Sequence, residues 1–263
     1  MLAGIVTPLY GALLRAGNSY GLTALGQQLL SQLPTTLREV ERVLQLQATF
    51  DPLQSTRTFE VLGIDYSVAK VAPALNRIVA AEAPDVRFVF GPALPEVIDG
   101  MPDSLRSFDG IILPHGYLAD QSHVDLYTDE WVCIVDTNSD ISGRATVDEL
   151  VHRRWVHTLS HQEGMTLARR QMQAHGLGMT MGAVTPQFLV VPSLVTGTDR
   201  VAILPESLAR SAERRGEGVR VVQLPHPIDP IREAFWWHKD REYDAGHIWL
   251  RDVLQRATVE GIA

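Results

Sequence analysis

The residues best suited to hold a small molecule fall at a few turns: Asp65-Tyr66-Ser67, His115 after Pro114, Ser160-His161, and Thr185 through Phe188, which includes Gln187. Each stands where an apolar, strand-like run gives way to a turn or helix. Ligands of open α/β sheets sit beyond the carboxyl ends of strands, so these turns form the wall of one candidate cleft. Ser160 to Gly164 opens a helical stretch, where backbone N–H groups and the helix dipole receive an anion such as a small carboxylate. A helix cap at Ser160 with Glu163 completing a capping box accounts for the same residues, and the two readings are compatible. Asp65 or Ser67 is likewise an N-cap, a cleft residue, or both.

Catalytic patterns are scarce. The chain has no G-x-S-x-G elbow, no H-E-x-x-H and no phosphate-binding G-x-x-x-x-G-K-[ST] loop. An acid and base formed by His161 and Glu163 lacks any accompanying nucleophile, metal or cofactor motif, so the chain is read as a non-enzyme without cofactor. His152, His157 and His161 lack the spacing and the acidic or cysteine partners of a zinc site. Gly176, Gly178 and Gly182 precede a strand rather than join strand to helix, which suits a helix C-cap better than a dinucleotide loop. Cys133 is the single cysteine and lies in the apolar run Trp131 to Val135, the setting of an inert core thiol.

These turns need a scaffold, and the chain supplies alternating elements. Strand signals at 58–64, 86–90, 108–113, 123–127 and 130–136 alternate with helical periodicity at 67–81 and 94–105. A second series follows: helix 146–151, strand 155–158, helix 164–174, strand 180–184, helix 187–195, strand 200–204, helix 205–214, strands 219–224 and 231–237, and a closing helix 244–256. The order predicts α/β layers with mostly parallel sheets in two lobes, the chain crossing between them near Tyr127 to Glu130. Upstream, Leu22, Leu25, Leu29, Leu33, Leu37, Val40 and Leu44 recur every three or four residues and form one apolar stripe. Its partner is the chain's own core or the same helix of a second subunit, and Pro34 is expected to bend or interrupt it.

Composition narrows the function classes. An apolar fraction of 45% with 21% charged residues excludes a disordered chain, and no apolar run is long enough to span a bilayer. The first ten residues lack the basic start of an export signal, which points to the cytoplasm. A net charge of −8 leaves no basic surplus for phosphate, so a stand-alone DNA reader is not expected. Arg210, Arg214 and Arg215 are interrupted by Glu213 and Glu217 and read as a solvated helix end.

Taken in order, several segments resemble LysR-type transcriptional regulators, most of all the branch with nodulation and aromatic-degradation regulators. They are Leu14 to Thr23, the helix start Leu22 to Gly26, Phe59 to Tyr66, Thr185 to Pro192, Gly197 to Pro205, Trp237-His238 and His247 to Arg251. The resemblance implies an α/β effector domain of two lobes, like a periplasmic binding protein, preceded by a long linker helix. The implied division is 1–21 as a remnant of a winged helix-turn-helix, 22–50 as dimerising linker, 57–126 with 231–263 as the first effector subdomain and 127–230 as the second. Asp65, Tyr66, His115, His161, Gln187 and Phe188 would line the effector cleft, with hinges near Asp125 to Thr128 and Pro227 to Ile231. The family's recognition helix would precede Met1, so DNA is an expected partner only when that region is present. The other implied partners are a small effector and further copies of the chain in a homodimer or homotetramer. The alternative is a cytoplasmic small-molecule-binding protein without a DNA role.

Overall fold

The computed structural model describes residues 11–16, 19–45, 49–158 and 166–260. They fall into two compact units, Met1–Ala48 and Thr49–Ala263. In the first, β1 (Leu13–Ala16) pairs antiparallel with β2 (Ser19–Leu22), and α1 (Ala24–Gln45) follows. Thr23 fixes the junction, since its Oγ1 accepts the Gly26 N–H at 3.0 Å and donates to the Gly11 carbonyl at 2.7 Å. The helix start lies so close to Ala12 that a Cβ on Gly26 would meet the Ala12 carbonyl oxygen at 2.1 Å. α1 runs uninterrupted through Pro34, so of the two effects expected there interruption does not occur. A proline removes a single N–H from the ladder, and the helical residues on either side hold the rest.

The second unit contains β3 (Thr58–Gly63), α2 (Asp65–Glu82), β4 (Arg87–Pro92), α3 (Pro95–Asp99), β5 (Gly110–Pro114), β6 (Ser122–Asp129) and β7 (Trp131–Asp136). There follow α4 (Val147–Val151), β8 (Arg154–Thr158), α5 (Leu167–Ala174), β9 (Thr180–Thr185), α6 (Val191–Val195), β10 (Val201–Pro205), α7 (Glu206–Arg214), β11 (Val219–Val222), β12 (Ile231–Trp237) and α8 (Ala245–Glu260). The strands form two five-stranded sheets, ordered β4-β3-β5-β12-β6 and β11-β7-β10-β8-β9. In each sheet one strand runs against the other four: β12 in the first and β7 in the second. Both are the strands by which the chain arrives from the opposite lobe, so the expected parallel sheets each carry one reversed member. The first crossing is Glu130 alone, between β6 and β7 in different sheets, rather than a hairpin turn.

All of β12 but Arg232 is buried, and its side chains alternate between the two faces of the sheet. Trp236 and Ala234 join Leu62, Ile98, Leu105 and Ile111 on one face of the first sheet. Phe235 and Trp237 point the other way, into a cluster with Phe59 and Val61 of β3, Leu75 and Ile78 of α2 and Leu250 and Leu254 of α8. β12 is interior to its sheet, and the two rings serve opposite faces. The second cluster continues through Tyr66, Tyr127 and Phe188 into Ile134, Val156 and Leu204, so one apolar core joins both lobes. Cys133 is fully buried and its thiol is pushed up to about 12 by that burial, as an inert core residue requires.

A polar clamp ties the far side of the first lobe. Arg57 meets Asp244 through two bonds of 2.7 and 2.8 Å, and Asp109 accepts from Arg241 at 2.8 Å and from the Glu60 N–H at 2.8 Å. His247 donates from Nε2 to the Asp109 carbonyl, and burial drives its pKa down to about 3, which keeps the ring neutral. The pair Arg57–Asp244 is nearly out of water, so removing one partner strands a buried charge. Arg57→Ala is expected to lower unfolding free energy by about 3 kcal/mol, measured by urea denaturation, whereas the exposed Asp148→Ala should shift it little.

Candidate functional site

A cavity of about 450 Å³ opens at the carboxyl ends of β3, β5 and β10 and beside the second crossing. Its apolar wall is Ile64, Leu113, Leu167 and Ile231, with the aromatic rings of Tyr66, Trp131 and Phe188. The rings form a chain, with centroids 6.3 Å apart for Tyr66 and Phe188 and 6.5 Å for Phe188 and Trp131. The polar groups are fewer: His115, Tyr117, Thr166, Gln171, Asp229 and Arg232. Gln171 clamps Asp229, donating to its carboxylate at 2.8 Å and accepting its N–H at 2.7 Å, which fastens α5 to the crossing segment. The exposed guanidinium of Arg232 has no ion-pair partner among the described residues.

Of the residues anticipated from sequence, Tyr66, His115 and Phe188 line this cavity. Asp65 does something else. The N-cap of α2 is Ile64, and the Asp65 carboxylate instead accepts the N–H groups of Phe188 at 3.0 Å and Leu189 at 2.8 Å. It thereby fixes the turn that presents the Phe188 ring. Ser67 is no cap either; its buried hydroxyl donates to Glu233 at 3.0 Å. Thr185 is buried and its Oγ1 accepts the Gln187 N–H at 3.1 Å, while the exposed Gln187 is not among the cavity residues. Ser160 and His161 lie outside the described residues. The helix assigned to them begins later: α5 is capped by Thr166, which accepts from the Arg169 N–H at 3.3 Å. The stretch expected to be helical from Gln187 is helical only from Val191, since Asp65 holds the preceding N–H groups in a turn.

Beneath the cavity lies a buried polar network. Asp129, the last residue of β6, accepts from Lys70 Nζ and the Glu130 N–H, each at 3.0 Å, from the Ser207 N–H at 3.2 Å, and from the hydroxyls of Tyr66 and Ser207. Burial, with the adjoining Tyr127 and Asp129, raises the Tyr66 pKa and keeps its phenol a donor. Glu233 is fully enclosed, and burial pushes its carboxyl up to about 8 despite the Ser67 hydrogen bond. His157 moves the opposite way, to about 4, through burial and the nearby Arg169, and so stays neutral.

Trp131, Gln171, Asp229 and Arg232 were missed as site residues. Arg232 had a visible signal, since it and Glu233 are the charged members of an otherwise apolar strand. Trp131 and Gln171 had none, because only the pairing of distant strands brings them together.

Two α/β lobes joined by two crossings, with an aromatic cavity at their strand ends, define the class of two-lobed ligand-binding modules. The sequence profile of the LysR substrate binding domain matches residues 106–258, and the chain belongs to the LysR family of transcriptional regulators. It is 26% identical over 243 residues to Nodulation protein D 2 of Rhizobium tropici, covering 91% of this chain and 76% of that relative. With Nodulation protein D 1 of Sinorhizobium fredii the identity is 29% over 216 residues, covering 80% and 65%. The chain thus spans between 65% and 76% of these relatives. A probable transcriptional regulator from Pseudomonas aeruginosa superposes with a TM-score of 0.78 at 23% identity, over 93% of this chain and 81% of that one. The regulatory domain of MexT, a transcriptional activator in the same organism, gives 0.64 at 19% identity, over 77% and 98%. No helix of the described residues is long and apolar enough to cross a membrane.

The Glu233 carboxyl carries a proton in the fold at pH values where the unfolded chain has lost it. The contribution of Glu233 to stability is therefore expected to fall as pH rises from about 4.5 to about 8 and to level off above, by at most about 1.4 kcal/mol per unit, against the opposite slope that the neutral His157 and His247 give below about 6.5. Thermal midpoints of Glu233→Gln measured across this range should lack that decline.

Proposed function

We propose that the cavity senses a small, planar, monoanionic molecule such as an aromatic carboxylate, and that the chain is the effector-sensing and assembling part of a transcriptional regulator. The observation that carries this reading is the combination of a three-ring wall with the exposed guanidinium of Arg232, which has no ion-pair partner among the described residues. A wall of aromatic rings favours a flat apolar body, and a guanidinium binds a carboxylate through parallel N–H donors. The cavity is of the size used for small ligands. His115 and Tyr117 supply further hydrogen-bonding groups on the wall. An occupant touching Leu113 and Arg232 from one lobe and Trp131 and Phe188 from the other would favour a particular lobe closure, and so a particular arrangement of subunits. A promoter would be reached through a DNA-binding region of the whole regulator.

Calorimetry with a panel of benzoate-type and aliphatic acids tests the cavity. Binding of aromatic acids is expected, and Arg232→Ala should weaken it by about 1.5–3 kcal/mol, the range of hydrogen bonds to charged groups. His152→Ala, remote from the cavity, should bind as the parent does. Absence of binding across the panel, or equal affinity in both variants, sinks the reading.

We also propose that α1 assembles with the same helix of a second copy. Its support is the exposure of Leu25, Leu33, Leu37 and Val40, with Leu29 half-buried, while Leu22, expected in the same stripe, ends β2 instead; an apolar stripe on a helix is covered in this way in coiled coils. Sedimentation at tens of micromolar is expected to show a dimer or tetramer for the parent chain and a shift toward monomer for Leu29→Glu with Leu37→Glu, the far-ultraviolet dichroism of the α/β lobes being retained.

A further inference from the structure

On the outer face of the first sheet, at the rim of the cavity, three metal-ligating side chains converge: His115, His123 and Asp125, whose ligand atoms all lie within 4.8 Å of one another. The fold brings them together by register. His123 and Asp125 are two residues apart on β6 and so share a face, opposite Trp236 and Ala234 of β12. His115 follows the end of β5 on the other flank of β12. Ala234 between them is small, so side chains from the two flanking strands can reach across it; Nε2 of His115 lies 2.7 Å from Oδ1 of Asp125.

We propose that these three residues form a binding site for a divalent transition metal of the zinc, cobalt or nickel type. Two imidazoles and one carboxylate are the donor set that suits such ions, whereas magnesium and calcium prefer all-oxygen sites. The neighbours orient the ligands. Nδ1 of His123 is 3.0 Å from the Gln121 carbonyl, which can only accept, so that nitrogen carries the proton and Nε2 keeps the lone pair for a metal. The indole of Trp236 packs against both rings, with centroids 5.0 Å from His115 and 4.4 Å from His123, and limits their rotation. Asp125 is 78% exposed in its side chain, which leaves an entry path and lets the carboxylate move the short distance needed for metal bonds of about 2.0–2.2 Å. Three protein ligands leave a coordination position open to water or an anion. Because His115 also lines the cavity, the ion would stand at its edge and would staple the chain after β5 to β6. The site stands without the acid-sensing reading, since its test changes His123 and Asp125, which are not among the cavity residues, and uses no organic effector.

The test uses the untagged full chain, stripped with chelator, titrated with Zn²⁺ by calorimetry and with Co²⁺ by visible absorption. One equivalent is expected to bind, with a Co²⁺ ligand-field band and a raised thermal midpoint. His123→Ala and Asp125→Ala should each weaken Zn²⁺ by more than the roughly 10- to 100-fold that loss of an outer-shell partner costs, while His152→Ala and His226→Ala, at an exposed pair and a stacked pair elsewhere, should not. Asp125→Cys should add a thiolate-to-Co²⁺ charge-transfer band, which Cys133 is too buried to supply. Failure to bind either ion, affinity unchanged in His123→Ala, affinity lost in His226→Ala, or no charge-transfer band in the cysteine variant would overturn the assignment; the first would mean that His115 and Asp125 are a hydrogen-bonded pair only.

Discussion

The carboxylate of Asp129 stands at the residue where the chain leaves one sheet for the other, and it gathers five donors from both sides: Tyr66 and Lys70 on α2, the Glu130 N–H at the crossing, and the N–H and hydroxyl of Ser207 on α7. A buried carboxylate tolerates little loss among such partners, because each unmet lone pair carries a desolvation cost. The position of α2 relative to α7 is therefore tied to one side chain. Asp65 repeats the device a turn earlier in α2, reaching the Phe188 and Leu189 N–H groups of the second lobe. The cavity lies above these two carboxylates, so its aromatic wall is set by polar contacts beneath it.

This arrangement separates two roles that a family of sensors must combine. The apolar core running through Tyr66, Tyr127 and Phe188 gives cohesion between lobes without strict direction, whereas the hydrogen bonds of Asp65 and Asp129 give direction at modest net stability. A hinge motion that preserves the first and rearranges the second costs little apolar burial. The enclosed Glu233, held by Ser67 on α2, places a further proton-bearing group on the reversed strand β12 beside the same network.

Much of the fold was legible in the sequence because its signals are local. The periodicity of Val71, Leu75 and Ile78 marks α2, and the apolar, aromatic run that ends Ile231 to Trp237 marks β12, while the short helix expected from Thr146 proves to open on a capping box of Thr146 and Glu149. The site was less legible. Tyr66, His115 and Phe188 could be placed at strand ends, but the roles of Asp65, Ser67 and Glu233 depend on partners more than a hundred residues away. Sequence reading left Asp65 between a cap and a cleft residue, and neither anticipates its hold on the Phe188 and Leu189 N–H groups. The same holds for His115 and Asp125, whose meeting depends on β12 being inserted between β5 and β6.

That insertion also bears on how the molecule comes into being. The first sheet is built from strands that lie early in the chain, yet its fourth member is β12, which is synthesised after the whole second lobe. Until residues 231–237 arrive, β5 and β6 have no mutual ladder, the face of Gly110 that Phe235 later covers stays open, and Asp129 has a lobe to face before its own sheet is complete. The strands of the second sheet, by contrast, form one contiguous run from β7 to β11. All strands of the second sheet are therefore made before β12, and until β12 arrives β5 and β6 each keep an unpaired edge, the kind of surface on which chaperones and misassembly compete.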